Sequence, residues 1–274
     1  MGILNVTPDS FSDGGNYQHL SQAIAQAEKM VDAGATLIDI GGESSRPVAI
    51  SIPLEEEIKR TIPVIKALKK NNLNALLSLD TVKPELMQQA IDEGIDFIND
   101  ISALQNTQSV KIIKHNTAIK ICIMHMQGTP QTMQENPQYQ DVVTEIMDFF
   151  KQRIKALTTQ GIEASRIYLD PGFGFGKTLE HNITLFKNLP KFKELTNSLG
   201  CAGLLIGVSR KGFIGQITQV KDSKNRQVGS AAAAALAVQY GADIVRVHDV
   251  AQTMEILKIN NALYNYSESF AQKI

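Results

Sequence analysis

The sequence contains no tryptophan and only two cysteines, Cys122 and Cys201, which lie far apart and belong to no Cys-x-x-Cys pair. That scarcity argues against a disulfide framework or a structural zinc site and points to a reducing, cytoplasmic setting. No run approaches the ~18 apolar residues of a membrane span. The start lacks the basic-apolar-small order of an export signal, so neither a spanning nor an exported chain is expected. Charge of one sign is also missing: 27 basic and 28 acidic side chains leave a formal charge of −1. No overall field therefore draws the molecule to nucleic acid or a membrane, and any anion must be held by a local cluster. What is present is apolar content, 43% over 274 residues, enough to bury one large core in a single domain over residues 1–274.

Eight short apolar runs of strand length are read: Gly2 to Val6, Thr36 to Ile40, Ala75 to Leu79, Asp96 to Ile98, Ile119 to Met124, Ile167 to Leu169, Leu204 to Val208 and Asp243 to Val247. Helix-period segments separate most of them; Leu20, Ile24, Ala27 and Val31 mark the first, and Leu54, Ile58, Ile62, Ile65 and Leu68 the second. Three joints repeat, Ala33-Gly34-Ala35, Glu93-Gly94-Ile95 and Tyr240-Gly241-Ala242, each glycine suited to a left-handed helix cap. Eight strand-helix units predict a single (β/α)8 TIM barrel of the α/β class, with a doubly wound open sheet as the alternative.

Polar residues stand at nearly every strand end: Asn5, Asp80, Asn99 with Asp100, His125, Asp170, Ser209 with Arg210 and Lys211, and Arg246 with His248. On a barrel those ends meet on one face, where active sites sit. Loops are polar anyway, but that explains poorly why the residues are so consistently Asp, Asn, Lys, Arg and His. Two loops look long, Thr7 to His19 and Gly41 to Pro53, and long loops at this face are commonly lids or binding loops.

Asp170-Pro171-Gly172-Phe173-Gly174-Phe175-Gly176-Lys177-Thr178 ends like a Walker loop, but Pro171 stands where the first glycine belongs. The glycines read better as backbone passing close to a flat ligand, with Phe173 and Phe175 as walls. Arg246 and His248, two residues apart, are expected to grip one anion such as a phosphate; the alternative is an arginine paired with a carboxylate and a histidine capping a helix. Asp80 and Asp170 suit a general acid/base pair, metal ligands, or acceptors for a ligand rich in N–H groups. His125, between Met124 and Met126, reads as a packed, hydrogen-bonded histidine more than a zinc ligand.

Taken in order, Met1 to Gly15 (MGILNVTPDSFSDGG), Gly41 to Pro47 (GGESSRP), Ser78-Leu-Asp-Thr81, Ile98-Asn-Asp-Ile101, Met124-His-Met-Gln-Gly128, Asp170 to Lys177, Ser209-Arg-Lys211 and Arg246-Val-His-Asp-Val250 resemble the bacterial dihydropteroate synthases over essentially the whole chain. Ser45 and Val48 stand where that family commonly has threonine and glycine. The resemblance implies condensation of 6-hydroxymethyl-7,8-dihydropterin pyrophosphate with para-aminobenzoate, giving 7,8-dihydropteroate and pyrophosphate in folate biosynthesis. It implies a pterin site of Asp80, Asn99, Asp170 and Lys211 lined by Met124, Phe175 and Gly207. Para-aminobenzoate would lie beside Phe11, Ser45, Arg46, Pro47, Phe173, Lys211 and Ser209. Asn5, Arg246 and His248 would receive the pyrophosphate, with Lys211 in the catalytic set and Asn5 touching Mg2+. A sulfonamide target, a homodimer and small-molecule partners alone are implied too. The neighbouring readings are a folate-dependent methyltransferase on a related pterin-binding barrel and a non-catalytic pterin-binding module.

Overall fold

The structure is a computed structural model that describes residues 1–7, 16–44 and 51–264. Among them, eight parallel strands run in the order β1 to β8: Gly2–Asn5, Leu37–Gly41, Leu76–Asp80, Phe97–Asp100, Lys120–Met124, Ile167–Asp170, Gly203–Ile206 and Ile244–Val245. Helices alternate with them: α1 (Asn16–Asp32), α2 (Leu54–Lys70), α3 (Pro84–Asp92), α4 (Thr107–His115), α5 (Val142–Thr159), α6 (Leu179–Lys187), α7 (Leu189–Ser198), α8 (Gly212–Thr218), α9 (Gln227–Gln239) and α10 (Val250–Tyr264). The sheet is curled, consistent with a TIM barrel. Its last strand end meets its first through a parallel bridge between Gly2 and Val247, where Ile3 N–H donates to Val247 O and Val247 N–H to Met1 O, both at 2.9 Å.

The eight expected strands are present, with boundaries shifted by at most two residues at either end. Asp80, Asn99, Asp100 and Asp170 close their strands instead of following them, because their amides still pair with the neighbouring strand. Pairs of helices, not single ones, connect β6 to β7 and β7 to β8.

Because side chains alternate along a strand, each strand offers one set to the helices and another to the concave inner face. The outward set, including Ile38, Ile40, Leu77, Leu79, Ile98, Ile121, Ile123, Leu169 and Leu204, joins the main core against the helices. Burying each such side chain contributes roughly 1.5–3 kcal/mol. The inward set is different. Leu37, Phe97, Cys122 and Leu205, with Tyr168 and Ile244 against them, form a second apolar cluster. Two residues further along, on the same face, come Asp39, Asn99, Met124 and Asp170, with Arg246 just past the end of β8. An apolar plug thus underlies a polar layer at the C-terminal strand ends.

The opposite end is braced twice in the same way. Asp96, just before β4, accepts from Leu77 N–H at 2.8 Å and Lys69 Nζ at 2.9 Å; Asp243, just before β8, accepts from Leu204 N–H at 2.7 Å and Lys193 Nζ at 2.7 and 2.8 Å. Each aspartate ties a strand start to the helix before that strand. Of the repeated glycines, Gly34, Gly94 and Gly241 have φ of +105°, +86° and +100°, the caps their sequence context predicts. No helix among the described residues is long and apolar enough to cross a membrane.

Candidate active site

Strand register sets the site's first row. Asn5 pairs with Gly41, Gly41 with Asp80, and Asp80 with Asn99, so four strands end at one level. Glycine at position 41 brings its neighbours together: a Cβ there would stand 3.6 Å from Asn5 Oδ1 and 3.7 Å from Asp80 Cβ.

Asp39 organises this layer; lying inside β2 and not at its end, it is not among the residues expected from the sequence. It is fully buried. Oδ1 takes a short hydrogen bond from Ser78 Oγ, while Oδ2 accepts from Asn99 Nδ2 at 3.2 Å and from Arg246 Nε at 2.5 Å. The signal available was an aspartate within Leu37-Ile38-Asp39-Ile40, a charge that burial permits only with partners.

Arg246 also donates from Nη2 to Asp80 Oδ2 at 2.7 Å. The Arg246 and His248 side chains, expected from their spacing to grip one anion, have different protein partners. Arg246 turns inward to two carboxylates, whereas the His248 backbone N–H donates to Ser209 Oγ at 3.1 Å and its Nδ1 lies 3.0 Å from the same oxygen. Strand β8 ends at Val245, so the alternation that would have set both side chains on one side does not continue to His248. Desolvation works against the guanidinium charge, but Asp39 and Asp80 outweigh it and raise the Arg246 pKa.

Asp170 accepts from Gly172 N–H at 2.8 Å. Burial pushes its carboxyl up to about 6, against the opposing pull of the Gly172 N–H and of Lys211, Lys177 and Arg246. Burial likewise raises Asp80, opposed by Arg246 and reinforced by Asp39. Gly207 stands beside Asp170, whose Oδ2 would lie 3.7 Å from an added Cβ. Met124 and Phe175 pack with Met133 into a small apolar cluster next to these groups. The Lys211 ammonium sits 4.0 Å from the Phe175 ring centre, a cation–π contact.

Phe173, expected as a ligand wall, packs away from the strand-end layer. Its ring is 0% exposed and packs in the main core against Phe186 and Phe213, with ring centres 5.8 and 6.0 Å away. It cannot wall a ligand from there; Phe175, two residues on, faces the site. Phe11, Ser45, Arg46 and Pro47, and Val48 with them, lie outside the described residues.

The glycine loop after β6 presses on the segment after β5. A Cβ on Gly172 would meet His125 O at 1.9 Å, and one on Gly176 would meet Gln127 O at 2.6 Å. His125 is packed and hydrogen-bonded, with Lys177 Nζ 3.1 Å from its Nδ1. Lys177 itself, a motif residue given no role by the sequence reading, is buried.

No group of three or more His, Cys, Asp or Glu among the described residues is arranged to hold a metal. A hard cation bound through few protein oxygens and a phosphorylated substrate remains compatible with Asn5, whose amide oxygen sits in the first row.

Convergent carboxylates, an amide and an ammonium at the C-terminal ends of eight parallel strands define an α/β enzyme that binds a flat ligand rich in N–H donors. The sequence profile of the pterin binding enzymes matches residues 1–248. Dihydropteroate synthase of Escherichia coli (strain K12) is 44% identical over 269 residues, covering 98% of this chain and 93% of that one. The structure of Yersinia pestis dihydropteroate synthase with a sulfonamide drug complex superposes with TM-score 0.89 at 43% identity, covering 97% of this chain and 94% of the other. The Xanthomonas albilineans enzyme in complex with 7,8-dihydropteroate superposes with TM-score 0.86 at 40% identity, covering 97% and 94%. The chain belongs to the pterin-binding enzymes and, among them, to the dihydropteroate synthases.

Proposed function

We infer that the chain condenses 6-hydroxymethyl-7,8-dihydropterin pyrophosphate with para-aminobenzoate, forming 7,8-dihydropteroate and pyrophosphate. The observation that carries this reading is the layer formed by Asp80, Asn99 and Asp170 beside Phe175 and Lys211. Carboxylate and amide oxygens there suit the amino and ring N–H groups of a pterin edge, and the ammonium suits its carbonyl. Met124, Phe175 and Gly207 give the ring an apolar slot.

The arylamine nitrogen attacks the pterin methylene carbon as the C–O bond to pyrophosphate breaks, and the amine proton leaves with the products. An aniline nitrogen is essentially unprotonated near neutral pH, so no side chain need act as nucleophile or dedicated base. The chain's task is to hold the pterin and to stabilise the departing anion. Asn5 and His248, on adjoining strand ends, are assigned to that anion together with Arg246, whose guanidinium is shared with Asp39 and Asp80. Asn5 would hold Mg2+, which supplies charge neutralisation at the phosphates when bound. Ser209 and Lys211 are placed at the para-aminobenzoate end, with Phe11, Ser45, Arg46 and Pro47 completing it.

The curled sheet is read as a closed (β/α)8 barrel, joined by the Gly2 and Val247 bridge, in one domain over residues 1–274. Free Cys122 and Cys201 fit a cytoplasmic enzyme. Exposed Val228, Leu236 and Val238 on α9, with Ile259 and Leu263 on α10, offer an apolar face that a second copy would cover in a homodimer.

Turnover tests the reading: the two substrates should yield dihydropteroate and pyrophosphate in equal amounts, and chelation of magnesium should slow the reaction. Methyl transfer without pyrophosphate, or binding without turnover, would replace it.

A further inference from the structure

Lys177 is 3% exposed, and its nitrogen enters no ion pair among the described residues. A buried ammonium is costly unless its hydrogen bonds compensate, so its partners show what it is for. It donates to Phe175 O at 2.9 Å and, at the limit of a hydrogen bond, to His125 O at 3.4 Å, and shares a hydrogen bond with His125 Nδ1 at 3.1 Å. Burial lowers the Lys177 pKa to about 7, and burial aided by the Lys177 charge lowers the His125 ring to about 3 and keeps it neutral; with Lys177 protonated, His125 Nδ1 is the acceptor. Tyr139 OH adds a bond to Gly176 O at 3.0 Å, from the same side.

These bonds join two separate strand ends. His125 and Tyr139 belong to the connection after β5; Phe175, Gly176 and Lys177 belong to the glycine loop after β6. The other side of that loop carries the Phe175 ring, which packs on Met124 and supports the Lys211 ammonium. We propose that Lys177 and His125 are positioning residues for the condensation: their hydrogen bond latches the glycine loop to the end of β5 and so fixes Phe175 and Lys211 where the pterin and arylamine sites adjoin. This rests on the dihydropteroate synthase reading. Neither residue touches substrate; each acts through the Phe175 backbone and ring.

The latch predicts an uneven effect on the two substrates, because the pterin is also held by Asp80, Asn99 and Asp170, whereas Ser209 and Lys211 are the described residues assigned to the arylamine end and Lys211 rests on the Phe175 ring. His125→Leu removes the acceptor; in His125→Asn, the Asn Oδ1 takes the place of Nδ1. His125→Leu should raise KM for para-aminobenzoate about tenfold and KM for the pterin substrate about twofold, the size of one lost buried contact. His125→Asn should return both to within about twofold of wild type. Lys177→Met should behave like His125→Leu; if it fails to fold, the histidine pair decides alone. Equal KM values for His125→Leu and His125→Asn, or one common rise for both substrates, would overturn the latch. A wild-type enzyme that releases no pyrophosphate would overturn the assigned reaction instead, so the two failures are distinguishable.

Discussion

Arg246 Nε donates to Asp39 Oδ2 at 2.5 Å, joining the last strand to the second beneath the substrate layer. Asp39 is thereby the common acceptor for Arg246, Asn99 and Ser78. Its place is structural in the strict sense: it orients groups of the candidate site while being itself fully buried.

Asp39→Ala should therefore cost stability and pterin affinity together. It leaves a largely buried guanidinium with one carboxylate and two polar side chains without their acceptor, a loss of about 3–5 kcal/mol. Asp39→Asn keeps the shape and should lose less. Urea unfolding and pterin titration of both variants check this; an unchanged unfolding midpoint for Asp39→Ala would show that Arg246 and Asn99 are held some other way.

The two phenylalanines of the glycine loop should separate cleanly. Phe173→Ala empties a fully buried core site and should destabilise the fold by about 3–5 kcal/mol. Its KM values, measured on folded enzyme, should stay near wild type. Phe175→Ala should do the reverse, raising KM for both substrates with a smaller loss of stability. If Phe173→Ala proved the more damaging to KM, the packing assignment would be wrong.

Much of this was legible in the sequence, and the exceptions have physical causes. The strands were readable because an inner apolar plug and an outer helix-facing core make short, nearly continuous apolar runs. The strand-end positions of Asp80, Asn99 and Asp170 were readable because they end such runs. Asp39 was not, since it interrupts an apolar run from inside and only the curl of the sheet brings Arg246 to it from the far end of the chain. Phe173 and Phe175 share one face in an extended reading, but Gly172, Gly174 and Gly176 all have positive φ, from +64° to +77°, and the turns they make send the two rings to opposite sides. Lys177 was visible as part of a motif, yet its partner lies 52 residues away.

Acid sensitivity should carry the signature of His125. Its pKa falls from 6.5 to about 3 on folding, chiefly through burial, so the unfolded chain binds a proton below pH 6.5 that the folded one refuses. Stability is fully present above about pH 6.5 and is lost as pH falls toward 3, at up to about 1.4 kcal/mol per pH unit. Asp170 acts in the opposite sense in the same range, because its raised pKa favours the folded state as it takes up a proton. The two separate in a comparison: His125→Asn lacks the histidine and keeps the aspartate. Its melting temperature should gain on wild type steadily from pH 6.5 to 4, and parallel curves would mean that His125 titrates normally.

Pterin binding should depend on pH through Asp170. Ionised, Asp170 offers only acceptors to the N–H groups of the pterin edge; protonated, it turns a donor toward them. Burial lifts its pKa to about 6, so the free enzyme is partly protonated just below neutrality and must release that proton to bind. Affinity should rise with pH between about 5 and 7, approaching tenfold per unit well below the pKa, and level off above. Proton release should appear in titration calorimetry as a heat that scales with the ionisation enthalpy of the buffer, largest near pH 5 and absent near pH 8. Asp170→Asn keeps one acceptor and adds a fixed donor, so it should bind the pterin more weakly by roughly 1–3 kcal/mol at pH 8. Its profile should also be shallower, with the remaining slope belonging to Asp80, which burial raises as well. A wild-type profile level from pH 5 to 8, or wild-type affinity in folded Asp170→Asn, would remove Asp170 from the pterin site.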